Sequence, residues 1–252
     1  MARLRADQFL VEHGFFESRS RAQTAIAAGL VTADGVTVRK PSETIPEGAS
    51  VSAQAPHPYV SRGGLKLAAA LDAYGTVVDG LRALDVGAST GGFTDVLLGR
   101  GAAHVVAVDV GRDQLHSSLR ADPRVTSLEG TDIRSLNPDA IGGRCEVAAI
   151  DVSFISLRLV LPAVASLLRP GGAVIALIKP QFEVGRGGLK KGIVRDEGLR
   201  DAAVADVIAS LPRSGLTPLG APIPSPIEGG DGNLEYLVAA RLGQAKSVSI
   251  VP

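Results

Sequence analysis

The chain has 252 residues, 45% hydrophobic but only 4% aromatic and without Trp, so we expect a core built from Ala, Val, Leu and Ile. Its 26 basic and 26 acidic residues cancel, which excludes an overall basic field and leaves local patches for any nucleic-acid binding. The single Cys145 excludes a disulfide framework and a multi-cysteine metal site. No run approaches the ~18 apolar residues of a spanning helix and no signal core follows Met1, so we expect a soluble cytoplasmic protein.

The first 55 residues predict a small α+β domain. A first helix would carry its inner face on Leu4, Phe9, Leu10 and His13. A second helix is predicted over 22–28 and stops at Gly29, a residue typical of helix C-termini. Short apolar runs at 30–32 and 36–38, with an Asp-Gly turn between them, indicate a β-hairpin. A last strand is expected over 49–53.

This order of elements resembles the αL RNA-binding module found in a ribosomal small-subunit protein and in several RNA-modifying enzymes. The matching residues are Arg5, Asp7, Leu10, Gly14, Ser18, Arg19, Ala22, Ala28, Gly29, Val31, Asp34 and Gly35. The resemblance implies that the second helix and the following loop contact the RNA backbone. The candidate RNA-binding residues in this domain are Arg5, Arg19, Arg21, Arg39 and Lys40. Solvated surface arginines are the alternative, since residues 1–66 hold eight basic and six acidic side chains, a net charge of only +2.

Two closely spaced prolines predict a linker over 56–60, followed by a second domain over 61–245 and a tail over 246–252. Strands and helices alternate in the second domain, which predicts an α/β fold with a parallel sheet. We expect strands over 82–86, 104–109, 124–128, 146–151, 173–178, 216–221 and 234–241. We expect helices over 63–74, 92–99, 113–120, 157–168 and 197–210.

A glycine-rich loop follows the first strand of this domain and opens directly into a helix, which is the geometry of a nucleotide-type ligand site. Its glycine spacing differs from that of dinucleotide loops, and the carboxylate just before it would repel a pyrophosphate but suits a sulfonium or ammonium group. The loop therefore favours S-adenosylmethionine over NAD, with an ordinary glycine turn as the alternative. The candidate cofactor-binding residues are Asp85, Gly87, Ala88, Ser89, Thr90, Gly91, Gly92 and Phe93.

Two further acidic residues stand at predicted strand ends. Asp109 ends the second strand, where a carboxylate can bind both ribose hydroxyls of an adenosine. Asp132 follows the third strand and could accept from an adenine amino group, although a helix cap is an alternative role for it. Because strand ends meet at one edge of an open sheet, these acids and the glycine loop together resemble the class I (Rossmann-like) S-adenosylmethionine-dependent methyltransferase fold over about 61–245.

Four residues match the Lys–Asp–Lys–Glu tetrad of FtsJ-like ribose 2′-O-methyltransferases: Lys66, Asp151, Lys179 and Glu235. Lys179 ends an otherwise apolar strand, where an unpaired ammonium group would be costly, although it could also simply emerge at the sheet edge. A ribose hydroxyl is a poor nucleophile and needs a base within hydrogen-bond reach. Our hypothesis is that Lys179 takes its proton, Asp151 orients that lysine, and Lys66 and Glu235 fix the reacting groups.

Two other methylation chemistries are disfavoured. The position after the fourth strand reads Asp-Val-Ser-Phe, without the paired prolines of base-amine methyltransferases, and Cys145 precedes that strand, away from a nucleophile's position for cytosine C5 methylation. A glycine-rich basic segment over 185–195 follows the fifth strand and suits a loop that contacts RNA phosphates, with a merely solvated loop as the alternative. Further candidate RNA-binding residues are Arg62, Arg186, Lys190 and Lys191.

The whole chain resembles the TlyA family, on the N-terminal module and the motifs SRGGLK, GASTGGFT, DVSFIS, KPQFEVG and GNLEY. The resemblance implies methylation of cytidine ribose in small-subunit ribosomal RNA, and in some members also large-subunit ribosomal RNA, with S-adenosylmethionine as cofactor and ribosomal subunits as partners. Members of this family are also described as haemolysins, so a membrane-active protein is one alternative. Another is a pseudouridine synthase, which often carries the same N-terminal module, and a third is an RNA-binding assembly factor without catalysis.

Overall fold

A computed structural model describes residues 3–244, and the chain divides into two compact units between Pro58 and Tyr59. The predicted tail over 246–252 lies outside the described residues. The predicted linker spans this division, and its last two residues pack within the second unit. The Val60 N–H donates to Asp95 Oδ2 at 2.8 Å, and the Tyr59 ring lies so close to Gly64 that any Cβ there would collide with it.

The first unit combines two short helices with two small antiparallel sheets. Its elements in chain order are β1 (Arg3–Arg5), α1 (Ala6–Glu12), α2 (Arg19–Ala27), β2 (Val31–Ala33), β3 (Val36–Thr37), β4 (Thr44–Pro46) and β5 (Val51–Ala53). Strand β1 pairs with β4, and β2 lies between β3 and β5. Phe9, Leu10, Ala22, Ala25 and Ile26 pack from the two helices into one buried core with residues of the sheets.

Strands β1 and β4 are the elements of this unit that the sequence pattern did not predict. Leu4 was predicted on the first helix, but it lies in β1, opposite Ile45 of β4. His13 ends α1 and is exposed, although its ring stacks on that of Phe9 with a centroid distance of 3.8 Å. A three-residue strand has too little local pattern to be recognised, because its partner lies about forty residues away along the chain and supplies the pairing.

The second unit is an α/β fold, as predicted. Its strands are β6 (Arg82–Val86), β7 (His104–Asp109), β8 (Val125–Glu129), β9 (Cys145–Ile150), β10 (Leu168–Ile178), β11 (Leu216–Pro218), β12 (Ile223–Pro224) and β13 (Tyr236–Leu242). Its α-helices are α3 (Gly63–Tyr74), α4 (Gly92–Gly99), α5 (Ser117–Arg120), α6 (Leu157–Ser166), α7 (Pro180–Glu183) and α8 (Glu197–Ser210). Single 3₁₀ turns occur at Ile133–Ser135, Asp139–Ile141, Arg186–Gly188 and Leu211–Ser214.

The sheet of this unit is mixed, which corrects the prediction of a parallel sheet. Its order is β11-β13-β10-β9-β6-β7-β8, with β12 also paired to β13. The strands from β10 to β8 are parallel, whereas β13 runs antiparallel to β10, in a register that sets Ile178 opposite Tyr236. The carboxyl ends of five strands and the start of β13 therefore lie at one edge. Both faces of the sheet are covered, so its central strands are built mainly from apolar residues.

Two further element predictions were wrong in extent. The helix expected over 113–120 is reduced to α5, because Asp113 has φ +55° and the N–H groups of Gln114 and Leu115 bond to Glu129 of β8 instead of continuing a helix. The strand expected over 216–221 ends at Pro218, and the turn α7 was not predicted. Among the helices of residues 3–244, none combines the length and apolar character needed to cross a bilayer.

Candidate active site

The glycine loop turns from the end of β6 into α4, and packing around the loop explains its glycines. Gly87 has φ +82°, and a Cβ there would run into the backbone carbonyl of Asp151. Gly91 has φ +98°, with two leucine side chains in the space that a Cβ would need. At Gly92 a Cβ would meet Ser61. The loop thus sits directly against the segment after β9 and the residues before α3, where no side chain fits.

Asp85, which the sequence predicts as a direct cofactor contact, lines neither of the two cavities beside the glycine loop. Its carboxyl group is completely buried beneath the loop, where Oδ2 accepts a hydrogen bond from the Thr94 hydroxyl at 2.6 Å. Oδ1 has no hydrogen-bond partner among the described residues. Burial raises the pKa of Asp85 to about 7, and the neighbouring carboxylates Asp151 and Asp109 add to the rise. Residue alternation along β6 points this side chain into the α4 layer rather than toward the edge.

A cavity of about 640 Å³ lies on one side of the glycine loop, at the ends of β6, β7 and β9. Its apolar wall is formed by Val86, Val108, Ile133, Val152, Ile155 and Val160. Asp109 lines this cavity, and its carboxylate oxygens each accept one backbone N–H at 2.7 Å, from Ser89 in the glycine loop and from Gly111. This carboxylate therefore ties the loop after β6 to the loop after β7 while facing the cavity.

Asp132 also lines this larger cavity, and it has the capping role that the sequence left as an alternative. Its side chain accepts the Arg134 N–H at 2.9 Å and so caps the 3₁₀ turn after β8. The Arg134 guanidinium binds the same carboxylate, with an Nη2–Oδ2 distance of 2.6 Å. This pairing holds the pKa of Asp132 below its usual value. The sequence missed Arg134 as a residue of the cavity wall.

A second cavity of about 290 Å³ lies on the other side of the loop. It is lined by loop residues together with Ser61, Arg62, Gly63, Lys66, Phe93, Asp151, Ile227, Glu228 and Gly230. Ala88, Thr90 and Gly92 of the predicted cofactor loop line this cavity, whereas Gly87 and Ser89 line both cavities. Asp151 also faces both. The sequence did not predict Glu228, which lies in an irregular segment without a recognisable motif.

The four tetrad residues form two ion pairs at this edge of the sheet. Lys66 Nζ lies 2.5 Å from Glu235 Oε2, and these side chains are only 9% and 2% exposed. Lys179 Nζ lies 2.6 Å from Asp151 Oδ1 and also donates to Ser153 Oγ at 2.9 Å. Such close pairing offsets the cost of burying the ammonium groups. The sequence identified the four residues but not their pairing, nor Ser153 as a partner of Lys179.

The predicted RNA-binding residues occur in both units. In the first unit, Arg5 and Arg19 share the buried Asp7, at 3.1 and 2.7 Å, and each keeps about half of its side chain exposed. This pairing lowers the pKa of Asp7 well below its usual range. The other three predictions of that unit are the exposed Arg39 and Lys40, and Arg21, which is half-buried at the start of α2.

The remaining predictions lie in the second unit. Arg62 is exposed at the rim of the smaller cavity, Lys190 and Lys191 are exposed after α7, and Arg186 begins a 3₁₀ turn. Asn233 holds this basic segment in place, because its side chain accepts the Val194 N–H at 3.1 Å and donates to the Gly192 carbonyl at 3.0 Å. Within residues 3–244, no cluster of three or more His, Cys, Asp or Glu side chains could hold a metal ion.

Comparison with known proteins identifies the family. Residues 59–242 match the family model of FtsJ-like methyltransferase, and residues 4–51 match that of the S4 domain. Over 250 residues the chain is 44% identical to the 16S/23S rRNA (cytidine-2′-O)-methyltransferase TlyA of Mycobacterium tuberculosis, covering 98% of this chain and 93% of that protein. The chain belongs to the TlyA family of FtsJ-like methyltransferases.

Two further relatives carry a different name. Hemolysin A of Brachyspira hyodysenteriae is 40% identical over 236 residues, covering 93% of this chain and 98% of that protein. A solved structure of a hemolysin candidate from Streptococcus thermophilus is 42% identical, with a TM-score of 0.75 over 99% of this chain and 93% of that one. The predicted TlyA family and methyltransferase fold are thus confirmed, and the predicted N-terminal RNA-binding module is confirmed as an S4 domain.

Proposed function

We propose that this protein transfers a methyl group from S-adenosylmethionine to the ribose 2′-hydroxyl of cytidine in ribosomal RNA, with the small and the large subunit as the two candidate sources of that RNA. The observation that carries the proposal is the presence of two Lys–carboxylate pairs beside two adjoining cavities at one edge of the sheet. Cytidine and ribosomal RNA are named for the TlyA relative, and the S4 match supports an RNA substrate.

The residues of the larger cavity fit an adenosine moiety. Its wall offers apolar side chains against which a flat purine can pack, and Asp109 faces it with oxygens that can accept from ribose hydroxyls. We assign Asp109 and Asp132 to the nucleoside and the glycine loop to the rest of the cofactor. Asp85 would act from below, by holding the loop through Thr94. S-adenosylmethionine, when bound, supplies an electrophilic methyl group.

We assign Lys179 as the general base for the ribose hydroxyl. Its Nζ is held by Asp151 and Ser153 on the segment after β9, at the point where Asp151 faces both cavities. In its neutral form this amine would take the 2′-hydroxyl proton, and Asp151 would orient it. The buried Lys66–Glu235 pair lies beside the smaller cavity, which Lys66 lines, and would fix the ribose hydroxyl relative to Lys179.

The exposed basic residues of each unit would contact RNA phosphates. Arg5 and Arg19 are held in a defined orientation by Asp7, which reduces the entropy lost when they bind a phosphate. We propose the domain division 1–55, 56–60 and 61–245 as an RNA-binding module, a linker and a catalytic domain. Action on ribosomal RNA would place the protein in the cytoplasm, with ribosomal RNA or ribosomal subunits as its partner.

The test of this function is transfer of tritiated methyl from S-adenosylmethionine to ribosomal subunits of a strain lacking the protein. A product that resists alkaline cleavage at one cytidine, located by mass mapping, would establish 2′-O transfer and the target. If neither subunit accepted label while calorimetry still detected cofactor binding, ribosomal RNA would be the wrong substrate. If cofactor binding also failed, the methyltransferase function itself would be wrong.

The assignment of the base has its own test. Lys179→Ala should abolish transfer yet leave S-adenosylmethionine binding close to wild type, because Lys179 does not line the larger cavity. Arg124→Ala is a suitable control, since it also removes one positive charge but lies before β8, at the opposite edge of the sheet. Transfer at the wild-type rate by the Lys179 variant would end the assignment.

Because two relatives are named hemolysins, a membrane-active function is the alternative to be tested. Purified protein that releases dye from liposomes, with no methyl transfer to either ribosomal subunit, would favour that alternative. An assembly factor without catalysis would instead bind ribosomal subunits and transfer no methyl group. Assays of methyl transfer, dye release and ribosomal-subunit binding on one preparation therefore distinguish the methyltransferase from the membrane-active protein and the assembly factor.

A further inference from the structure

The segment that carries Asp151 and the segment that carries its partner, the proposed base Lys179, lie side by side at the edge of the sheet. The first follows β9 and covers 151–157, and the second covers 179–183 after β10. They are adjacent because β9 and β10 pair in parallel, with Ala176 opposite Ile150. The first segment has no regular secondary structure until α6 begins at its last residue. Its position therefore depends on contacts made to it by its surroundings.

The two segments are joined at three levels. At the first, Lys179 contacts Asp151 and Ser153, as described above. At the second, the rings of Phe154 and Phe182 lie 5.0 Å apart. At the third, Glu183 reaches the start of α6. Phe154 has φ +64°, an unfavourable conformation for a residue other than glycine, so this segment needs external contacts to keep its shape.

At the third level, the Glu183 carboxylate binds the residues at the start of α6. Its Oε2 accepts from the Ser156 hydroxyl at 2.6 Å, and its Oε1 accepts from the Leu157 N–H at 2.8 Å. Arg158 Nε lies 3.5 Å from Oε2. The Glu183 side chain is only 2% exposed, so these partners replace the water that a carboxylate would otherwise bind.

The single turn of α7 connects Glu183 rigidly to Lys179. Lys179 caps this turn, its carbonyl accepts the Phe182 N–H at 2.9 Å, and Pro180 occupies the first helical position. Both side chains reach the same neighbouring segment, since Lys179 contacts Asp151 and Ser153 while Glu183 binds residues at the start of α6. Loss of the Glu183 contacts would free the far end of 151–157 and loosen the contact between Lys179 and Asp151.

We propose that Glu183 is a positioning residue for the reaction: through hydrogen bonds to Ser156 and Leu157 it holds segment 151–157 in place, and so keeps Asp151 against the Lys179 amine. This inference rests on the proposed function in taking Lys179 as the base. Glu183 touches neither of the two cavities, so it acts through the residues that it holds.

The kinetic test compares Glu183→Ala with Glu183→Gln and with a matched control. We expect the Ala variant to lower kcat about 10- to 100-fold with the KM for RNA unchanged, since small misplacements of a base reduce rate rather than binding. The Gln variant keeps an oxygen that can accept the Leu157 N–H, so it should recover most of the rate. The control is Glu146→Ala, which removes a partly buried carboxylate bonded to the Arg82 N–H and to Arg169 at the opposite edge of the sheet.

Three kinetic results would overturn the inference. They are a wild-type kcat in the Ala variant, an equal fall in the Glu146 control, and a Gln variant as slow as the Ala variant. The first would show that Glu183 does not matter for the rate. The second would show a general loss of stability. The third would show that the hydrogen bonds of Glu183 do not determine the rate.

A second measurement does not depend on methyl transfer. Reductive methylation with formaldehyde and cyanoborohydride, followed by mass spectrometry, reports how freely each lysine amine reacts. Lys179 should react several-fold faster relative to the exposed Lys40 in the Glu183→Ala variant, but not in the Glu146 control, because its ion pair is loosened. An unchanged Lys179 rate would overturn the inference. If the wild type transferred no methyl to ribosomal RNA, the proposed function would fail while this measurement still decided the role of Glu183.

Discussion

Replacing Asp85 with Asn should make the protein gain stability relative to the wild type as the pH rises. Asp85 is completely buried, and this burial raises its pKa from the ordinary value of 3.8 to about 7. Between those two pH values the unfolded chain has already lost the proton, whereas the folded protein still holds it. Stability of the wild type therefore falls as the pH rises through this window, and it stays low above it. The Asn variant cannot ionise and escapes this loss.

The size of the effect follows from the width of the window. A shift of about three pH units at about 1.4 kcal/mol per unit gives a loss of about 4 kcal/mol in the free energy of unfolding. The Asn side chain can still accept from the Thr94 hydroxyl, but its amide also needs a partner in the place of Oδ1. An unpaired amide would cost about 1–3 kcal/mol at every pH. It would therefore lower the stability of the Asn variant by the same amount at each pH and leave the pH dependence of the difference unchanged.

Urea unfolding of both proteins between about pH 4 and about pH 8.5 would measure this difference. The stability of the Asn variant minus that of the wild type should rise by about 4 kcal/mol across the range, with most of the rise below about pH 7. Asp72→Asn is a suitable control, because Asp72 is exposed and its pKa is lowered by Arg100 rather than raised. A difference that stayed constant with pH would refute the argument that burial keeps Asp85 protonated.

Three further predictions concern the ion pairs and the glycine loop. Glu235→Gln should destabilise the protein by about 3–5 kcal/mol in urea unfolding, because it leaves the buried Lys66 ammonium without its anion; a double variant with Met at both positions should be more stable than this single one. Asp7→Asn should lower the protection of first-unit amides in hydrogen exchange at neutral pH. This loss should shrink on acidification, because the contacts that lower the pKa of Asp7 stabilise only its ionised form. An equal loss at all pH values would contradict this. Gly87→Ala should abolish S-adenosylmethionine binding in calorimetry, whereas Gly185→Ala, with φ −60° and open space at its Cβ, should not.

Local patterns predicted most elements of the second unit. Strand β6, the glycine loop and α4 are contiguous, so the apolar run, the glycines and the helical periodicity all act over a few residues. Two elements, β1 and α5, depended on distant partners instead. Strand β1 exists through β4, and α5 is short because Glu129 of β8 binds the N–H groups before it. No short window of sequence contains such partners.

The same distinction applies to the candidate site. The resemblance to the FtsJ-like tetrad named Lys66, Asp151, Lys179 and Glu235, and the acids Asp109 and Asp132 were named because each follows an apolar strand. The motifs did not show that Asp85 is buried beneath the loop or that Asp132 caps a turn, since both depend on which way a side chain points in the folded sheet.

The direction of the last strand had the largest effect on the site. Had β13 been parallel to its neighbours, as the alternating pattern predicted, Glu235 at its start would lie at the far edge of the sheet, away from Lys66. Because β13 runs antiparallel, with Tyr236 opposite Ile178, its first residue meets the carboxyl ends of the other strands. Strand direction depends on how the connecting chain crosses the sheet, and so the chemistry was predictable from residue types whereas the pairing of Lys66 with Glu235 required the tertiary fold.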